Sequence, residues 1–222
     1  LTLSSNPLGV TGIQSLETGV QARMLCNLIW LDLSHTLTDD VDINEALLTT
    51  LLPSLASHCP NLNYLNLSDN ILSPQGLCTV MDNIPQQLTH LTLSETLVTD
   101  IYCEESLDLQ LQTISSPIIS LNVVNVSYCN FSGSNCLVLV KFLLSSKVLD
   151  CWNCSLTSAD IVALINYLKT ANVVCENLTK WDLGYNNIDE EGVIIYAPFE
   201  QFGAIQSFFE ENNVEILSSG FE

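Results

Sequence analysis

The sequence predicts an α/β solenoid, in which short parallel strands stack side by side and each is followed by a return segment carrying a helix. Three observations predict it. Leu62, Leu65, Leu67, Asn70 and Leu72 spell LxxLxLxxNxL, with Gly76 four residues on. Leu178, Trp181, Leu183, Asn186 and Ile188 fill the same places, closed by Gly192. Leu1, Leu3, Asn6, Leu8 and Gly12 do so again at the start of the chain. A unit of this size cannot bury its apolar face alone, so neighbours must stack and share one continuous core.

Each place in the template has a physical reason. Leu65 and Leu67 lie two apart on a strand, so both point inward. Asn70 sits where the chain turns away, and its amide can satisfy buried backbone groups that no ladder reaches. Leu72 buries the turn. Gly76 permits a backbone conformation or a close approach that a side chain would obstruct.

The remaining repeats are degenerate. The second (Leu28 to Thr36) and the fourth (Leu88 to Thr96) put Thr where Asn is expected, and a hydroxyl can make part of the same contact. The fifth centres on Val124, Val126, Cys129 and Phe131, and the sixth on Leu149, Cys151, Cys154 and Leu156. The fourth-place residues Leu1, Leu31, Leu65, Leu91, Val124, Leu149 and Trp181 are separated by 30, 34, 26, 33, 25 and 32 residues. That leaves room for a helix in each return segment. Thr157 to Asp160 reads as a capping box. It precedes the stripe Ile161, Leu164, Ile165 and Leu168, spaced for one helix face. Helices are also expected over 135–145 and 44–57, with Pro53 kinking or shortening the latter, and over 106–115 on a fainter pattern. The segment 206–211 is rich in aromatics, and 214–217 reads as a last edge strand. Residues 1–222 are thus expected to form a single domain of about seven repeats, with a C-terminal cap over 193–222. Leu1 and Leu3 fall on strand places, so the chain is expected to begin inside a repeat, its N-terminal cap and any targeting signal lost.

These repeats resemble the ribonuclease-inhibitor-like class of leucine-rich repeat proteins over about residues 1–192. The lead-in Cys59-Pro60-Asn61-Leu62 and the cysteines at turn places also resemble the cysteine-containing repeats found beside F-boxes, although no F-box is visible. The resemblance implies a curved horseshoe with its parallel sheet on the concave face and helices on the convex face. It also implies a protein that binds other proteins through the concave face.

Composition narrows the partners. The formal charge is −20, with only five Lys and Arg. Nucleic acids and anionic membranes are bound through basic residues, so neither is expected as a partner. A long-range negative field favours a basic protein; the plainer role of such charge is solubility. No apolar run is long enough to span a bilayer, and no basic segment leads an apolar one as in a signal peptide. The nine cysteines include several on inward or turn places: Cys129 and Cys154 replace the turn Asn, and Cys151 replaces an inward Leu. Small buried thiols suit those places. They are read as reduced, and the location as intracellular, or inside a host cell if the chain is a pathogen effector.

No motif points to catalysis, a cofactor or a metal. Cys151-Trp152-Asn153-Cys154 lacks a second pair for zinc and a thioredoxin-like context. The loop beginning at Asp40 has Glu45 where a calcium loop needs Gly, and Leu51 where it needs Glu. His35, His58 and His90 are not grouped with a Ser or Cys nucleophile. Five N-x-[ST] sequons occur, at Asn66, Asn125, Asn130, Asn153 and Asn177, and are read as chance in a chain rich in these residues.

The informative pattern lies between the leucines, at the third, fifth, seventh and eighth places, which face outward. They present Trp30, Asp32, Tyr64, Asp69, His90, Glu95, Tyr128, Asp150, Trp152, Asp182 and Tyr185. Aromatics supply binding energy and acids steer a basic ligand, so these residues are the expected partner-binding surface. The function expected is non-catalytic protein binding, as an inhibitor or sequestering protein of a basic partner. The alternatives are a substrate-recognition or effector module of a larger protein, including a pathogen effector, and a GTPase-activator-like regulator.

Overall fold

Leu31, Leu65 and Leu91 stand side by side in three parallel strands, β1 (Trp30–Asp32), β2 (Tyr64–Asn66) and β3 (His90–Thr92), and all three are buried. A computed structural model describes residues 1–97, 120–171, 175, 177–188 and 215–217. The chain divides into two compact units, Leu1–Glu104 and Glu105–Glu222.

In the first unit the strands pair in the register set by the template, Leu31 to Leu65 to Leu91. Thr2 bridges Asp32, which places the Leu1 repeat beside β1 in the same register. Helices α1 (Gly9–Gln21), α2 (Val41–His58) and α3 (Pro74–Asn83) return the chain. Asp40 caps α2, accepting from the Ile43 N–H, and Ser73 caps α3, accepting from the Gly76 N–H. Helix α2 runs through Pro53 to His58, so Pro53 does not shorten it. Pro53 lies on the exposed side, where water can satisfy the carbonyl it leaves without a donor. Gly76 is buried, and a Cβ there would collide with the Glu45 carboxylate, which accepts from the Ser73 backbone and hydroxyl. A side chain at this position would therefore displace the Glu45 carboxylate from Ser73; close approach, not φ, is what the glycine accommodates.

In the second unit β4 (Leu121–Asn125), β5 (Ser146–Asp150), β6 (Lys180–Asp182) and β7 (Glu215–Leu217) pair in parallel. Val124, Leu149 and Trp181 are aligned. Residues 135–145, expected as one helix, divide between a 3₁₀ turn, Gly133–Val138, and α4 (Leu139–Ser145). Neither N-cap residue caps its segment with its own side chain; the Gly133 N–H donates instead to the Asp160 carboxylate at 2.9 Å. Helix α5 (Ser158–Thr170) opens on the expected capping box of Thr157 and Asp160. Strand β7 falls on the expected edge strand; the rest of the expected cap over 193–222, and the segments 106–115 and 206–211, lie outside the described residues.

The turn Asn stitches one repeat to the next. Asn70 donates to the Leu67 carbonyl and to the Leu33 carbonyl of the preceding repeat, and accepts from the Thr36 and Leu37 N–H groups. Asn186 does the same for Leu183, Cys151, Cys154 and Leu156. The Thr36 and Thr96 hydroxyls make the local bond, donating to the Leu33 and Leu93 carbonyls, each at 2.7 Å. Cys154 donates to the Val126 carbonyl. Cys59, Cys129, Cys151, Cys154 and Cys175 are buried free thiols. Trp181, larger than the Leu of other repeats, packs beside Cys151, smaller than Leu, and its indole N–H donates to that sulfur at 3.2 Å.

Candidate functional site

The outward places of each strand form a regular surface whose geometry follows from three local devices. Third-place residues stand on the pleat beside their register partners. In the first unit Trp30, Tyr64 and His90 are successive partners. The Trp30 and Tyr64 rings meet edge to face with centroids 4.8 Å apart, and Tyr64 stacks on His90 at 6.2 Å. Trp30 is 53% exposed and Tyr64 and His90 are half-buried. In the second unit the third places carry Val123, Val148 and Lys180, so no aromatic row forms there.

Fifth-place residues close a turn. Asp32, Asn66, Asn125, Asp150 and Asp182 each accept, through Oδ1, the backbone N–H two residues on, at 2.8–3.0 Å. This local bond satisfies a donor where the strand ends. It gives the acids Asp32, Asp150 and Asp182 a structural duty that the sequence reading missed, although the recurring Asx-x-Ser at residues 32–34, 66–68 and 125–127 was its signal. Two of the sequons, at Asn66 and Asn125, are this motif. Asn130 makes the same turn to Ser132. The sequons at these three residues therefore come from turn chemistry.

Eighth-place residues take a left-handed backbone. Ser5, His35, Asp69, Glu95, Tyr128, Asn153 and Tyr185 have φ between 52° and 61°. Non-glycine residues seldom adopt it. The N–H groups of Ser5, His35, Asp69, Tyr128 and Asn153 still donate to the seventh-place carbonyl of the next repeat, extending the ladder while the chain turns away. All seven side chains are exposed. The seventh places are more enclosed than strand alternation implied. Ser68, Ser127 and Gly184 are buried, and Ser34, Ser94 and Trp152 half-buried.

In the second unit these devices gather an aromatic cluster. Tyr128 and Tyr185, from eighth places, flank Trp152, from a seventh place. Ring centroids lie 4.9 Å and 4.5 Å from the indole. Tyr128 is 47% and Tyr185 69% exposed. Asp150 and Asp182 are register partners on adjacent strands. Burial pushes the Asp150 carboxyl up, opposed by the Trp152 N–H it accepts; Asp182 raises it further and Lys180 lowers it. The chemistry available is that of recognition: flat apolar rings beside carboxylates. Among the described residues, no group of three His, Cys, Asp or Glu could hold a metal ion. Asp40 serves as a helix cap, and Asn44 is buried and bonded to Thr38 and Ile71.

A family model described as Leucine Rich repeat matches residues 58–77 and 174–194, the two repeats that fit the template best. Those two segments are leucine-rich repeats. The chain's repeats match LegL7, a leucine-rich repeat-containing protein from Legionella pneumophila, with a TM-score of 0.49 and 17% identity, over 97% of this chain and 61% of that one. They match an internalin from Listeria monocytogenes with a TM-score of 0.28 and 14% identity, over 90% of this chain and 64% of that one. A stretch of 34 residues is 62% identical to a probable transcriptional regulatory protein of Flavobacterium johnsoniae and equally to one of Flavobacterium psychrophilum. That stretch is 15% of the leucine-rich repeat chain and 14% of each relative. No helix among the described residues is long and apolar enough to cross a membrane.

Proposed function

We propose that this leucine-rich repeat protein is a non-catalytic binding module that holds a basic protein on the outward face of its strands. The observation that carries the proposal is an exposed aromatic group on the outward strand face of each unit, Trp30 with Tyr64 in the first and Tyr128, Trp152 and Tyr185 in the second. Solvated strand faces do not need large rings in mutual contact, whereas interfaces are anchored by Trp and Tyr. The net charge of −20 favours a cationic partner through its long-range field, which acts on the association rate. Such a module would act by occupying its partner, as an inhibitor or sequestering protein does.

Affinity capture with the whole chain, at low and then high salt, tests this. The expected result is one or more basic proteins, released as salt rises and retained poorly by Trp30→Ala and Trp152→Ala variants. Equal capture by wild type and both variants, or partners that are acidic and insensitive to salt, would contradict it.

A further inference from the structure

Trp152 has surroundings that no other described outward residue shares. Its ring touches Tyr128 and Tyr185 at interplanar angles of 66° and 50°. Asp150 and Asp182, at the fifth places of its own and the next repeat, are paired across adjacent strands, so two like charges stand about 4.8 Å apart at the backbone. One oxygen of each is engaged by the turn, Asp150 by the Trp152 N–H and Asp182 by the Gly184 N–H. The second oxygen of each is left for another donor. Two neighbouring carboxylates repel each other, and Lys180 is the cation that acts on Asp150.

The geometry points to an arginine-binding site, in which the guanidinium of a partner protein lies against the Tyr128–Trp152–Tyr185 rings and donates to Asp150 and Asp182. This rests on the binding role proposed above and names the chemistry of its occupant. Three features select arginine. The rings touch one another, so they leave no gap between them for a rounded ammonium or quaternary ammonium group. A cation must instead lie on their outer surface, where a flat guanidinium stacks. A guanidinium presents several N–H donors in a fixed fork, enough to reach two carboxylates, whereas an ammonium is a strongly hydrated point charge. The chain's own charge of −20 draws such a group in.

Fluorescence anisotropy with three labelled Gly-Ser-spaced peptides, carrying arginine, lysine or uncharged citrulline at the same positions, tests the site on the whole chain. The arginine peptide is expected to bind about fivefold or more tightly than the lysine peptide, and the citrulline peptide much more weakly than either. Trp152→Ala should weaken the arginine peptide about tenfold and erase its advantage over lysine. Trp152→Phe, which keeps a ring, should fold and fall between. Asp150→Asn with Asp182→Asn retains both turn acceptors and should weaken both charged peptides. Equal binding of arginine and lysine peptides, an arginine preference that survives Trp152→Ala, or no binding of the arginine peptide would overturn the site. If basic proteins are still captured through the strand face in those cases, the broader binding role stands and only the arginine site fails.

Discussion

Asn70 shows how much of this fold is held by single side chains. Its amide makes bonds in two repeats at once, to groups that are buried. Asn70→Ala is expected to cost about 2–4 kcal/mol, because it leaves buried donors and acceptors without partners. Asn70→Thr should recover part of that loss, since Thr36 and Thr96 make the local bond in their own repeats. Chemical denaturation should rank wild type above Thr above Ala; equal Thr and Ala variants would contradict the shared role. Leu67→Ala removes a fully buried residue and should cost about 2–5 kcal/mol, and a loss well under about 1 kcal/mol would contradict the register. Asp150 is a different case. Its folded carboxyl titrates above its ordinary value, so the folded state binds that proton more tightly than the unfolded chain. The sign follows: this group favours folding at low pH and disfavours it as pH rises through the raised value. Asp150→Asn keeps the turn acceptor, so it should raise the melting temperature at neutral pH and match wild type near pH 3. A variant less stable than wild type at pH 7 would contradict that reading.

At the scale of the element, the strands were legible and the turns were not. The period-2 placement of Leu65 and Leu67, and of Val124 and Val126, set both the register and the inward face. The capping box of α5 was legible because Thr157 and Asp160 stand at fixed spacing. The division of 135–145 into a 3₁₀ turn and a short helix was not, because apolar residues surround that segment. Among Leu139 to Leu144 even Lys141 is buried, so no single helical stripe stands out. The fifth-place turns went unread because Asp and Asn are ordinary on a solvated strand face, when one oxygen of each was required by a backbone N–H. The left-handed eighth places went unread for a related reason. None of them is glycine, the usual signal of positive φ, yet all seven adopt it where the chain turns away from the strand, and five of them also make the ladder bond. Glu95 tests this. Glu95→Asn should be neutral or stabilising and Glu95→Val should cost about 1–2 kcal/mol, since a β-branched residue suits that backbone poorly. Equal stability of the two variants by thermal unfolding would contradict the strain.

At the scale of the whole molecule, the thiols and the outward faces behave as separate populations. Burial pushes the Cys136 thiol up to about 12 and Cys175 to about 11, and raises Cys59 and Cys151 as well. Thiolate is the reactive form, so among the described cysteines half-buried Cys26 should be alkylated first by iodoacetamide at pH 8, with the buried ones following only on unfolding. Mass spectrometry of the native protein checks this order. The outward faces of both units carry the aromatic groups, and the sequence alone placed Trp30, Tyr64, Tyr128, Trp152 and Tyr185 among them. The spacing of adjacent strands alone brings Trp152 within reach of Tyr128 and Tyr185, and the three rings do form one patch. The measurement that tests the account most directly is the affinity of a captured basic partner for wild type and Trp152→Ala, with folding of both checked by circular dichroism. The expected result is a folded variant that binds about 30-fold more weakly, near 2 kcal/mol. A folded Trp152→Ala protein with unchanged affinity would contradict it.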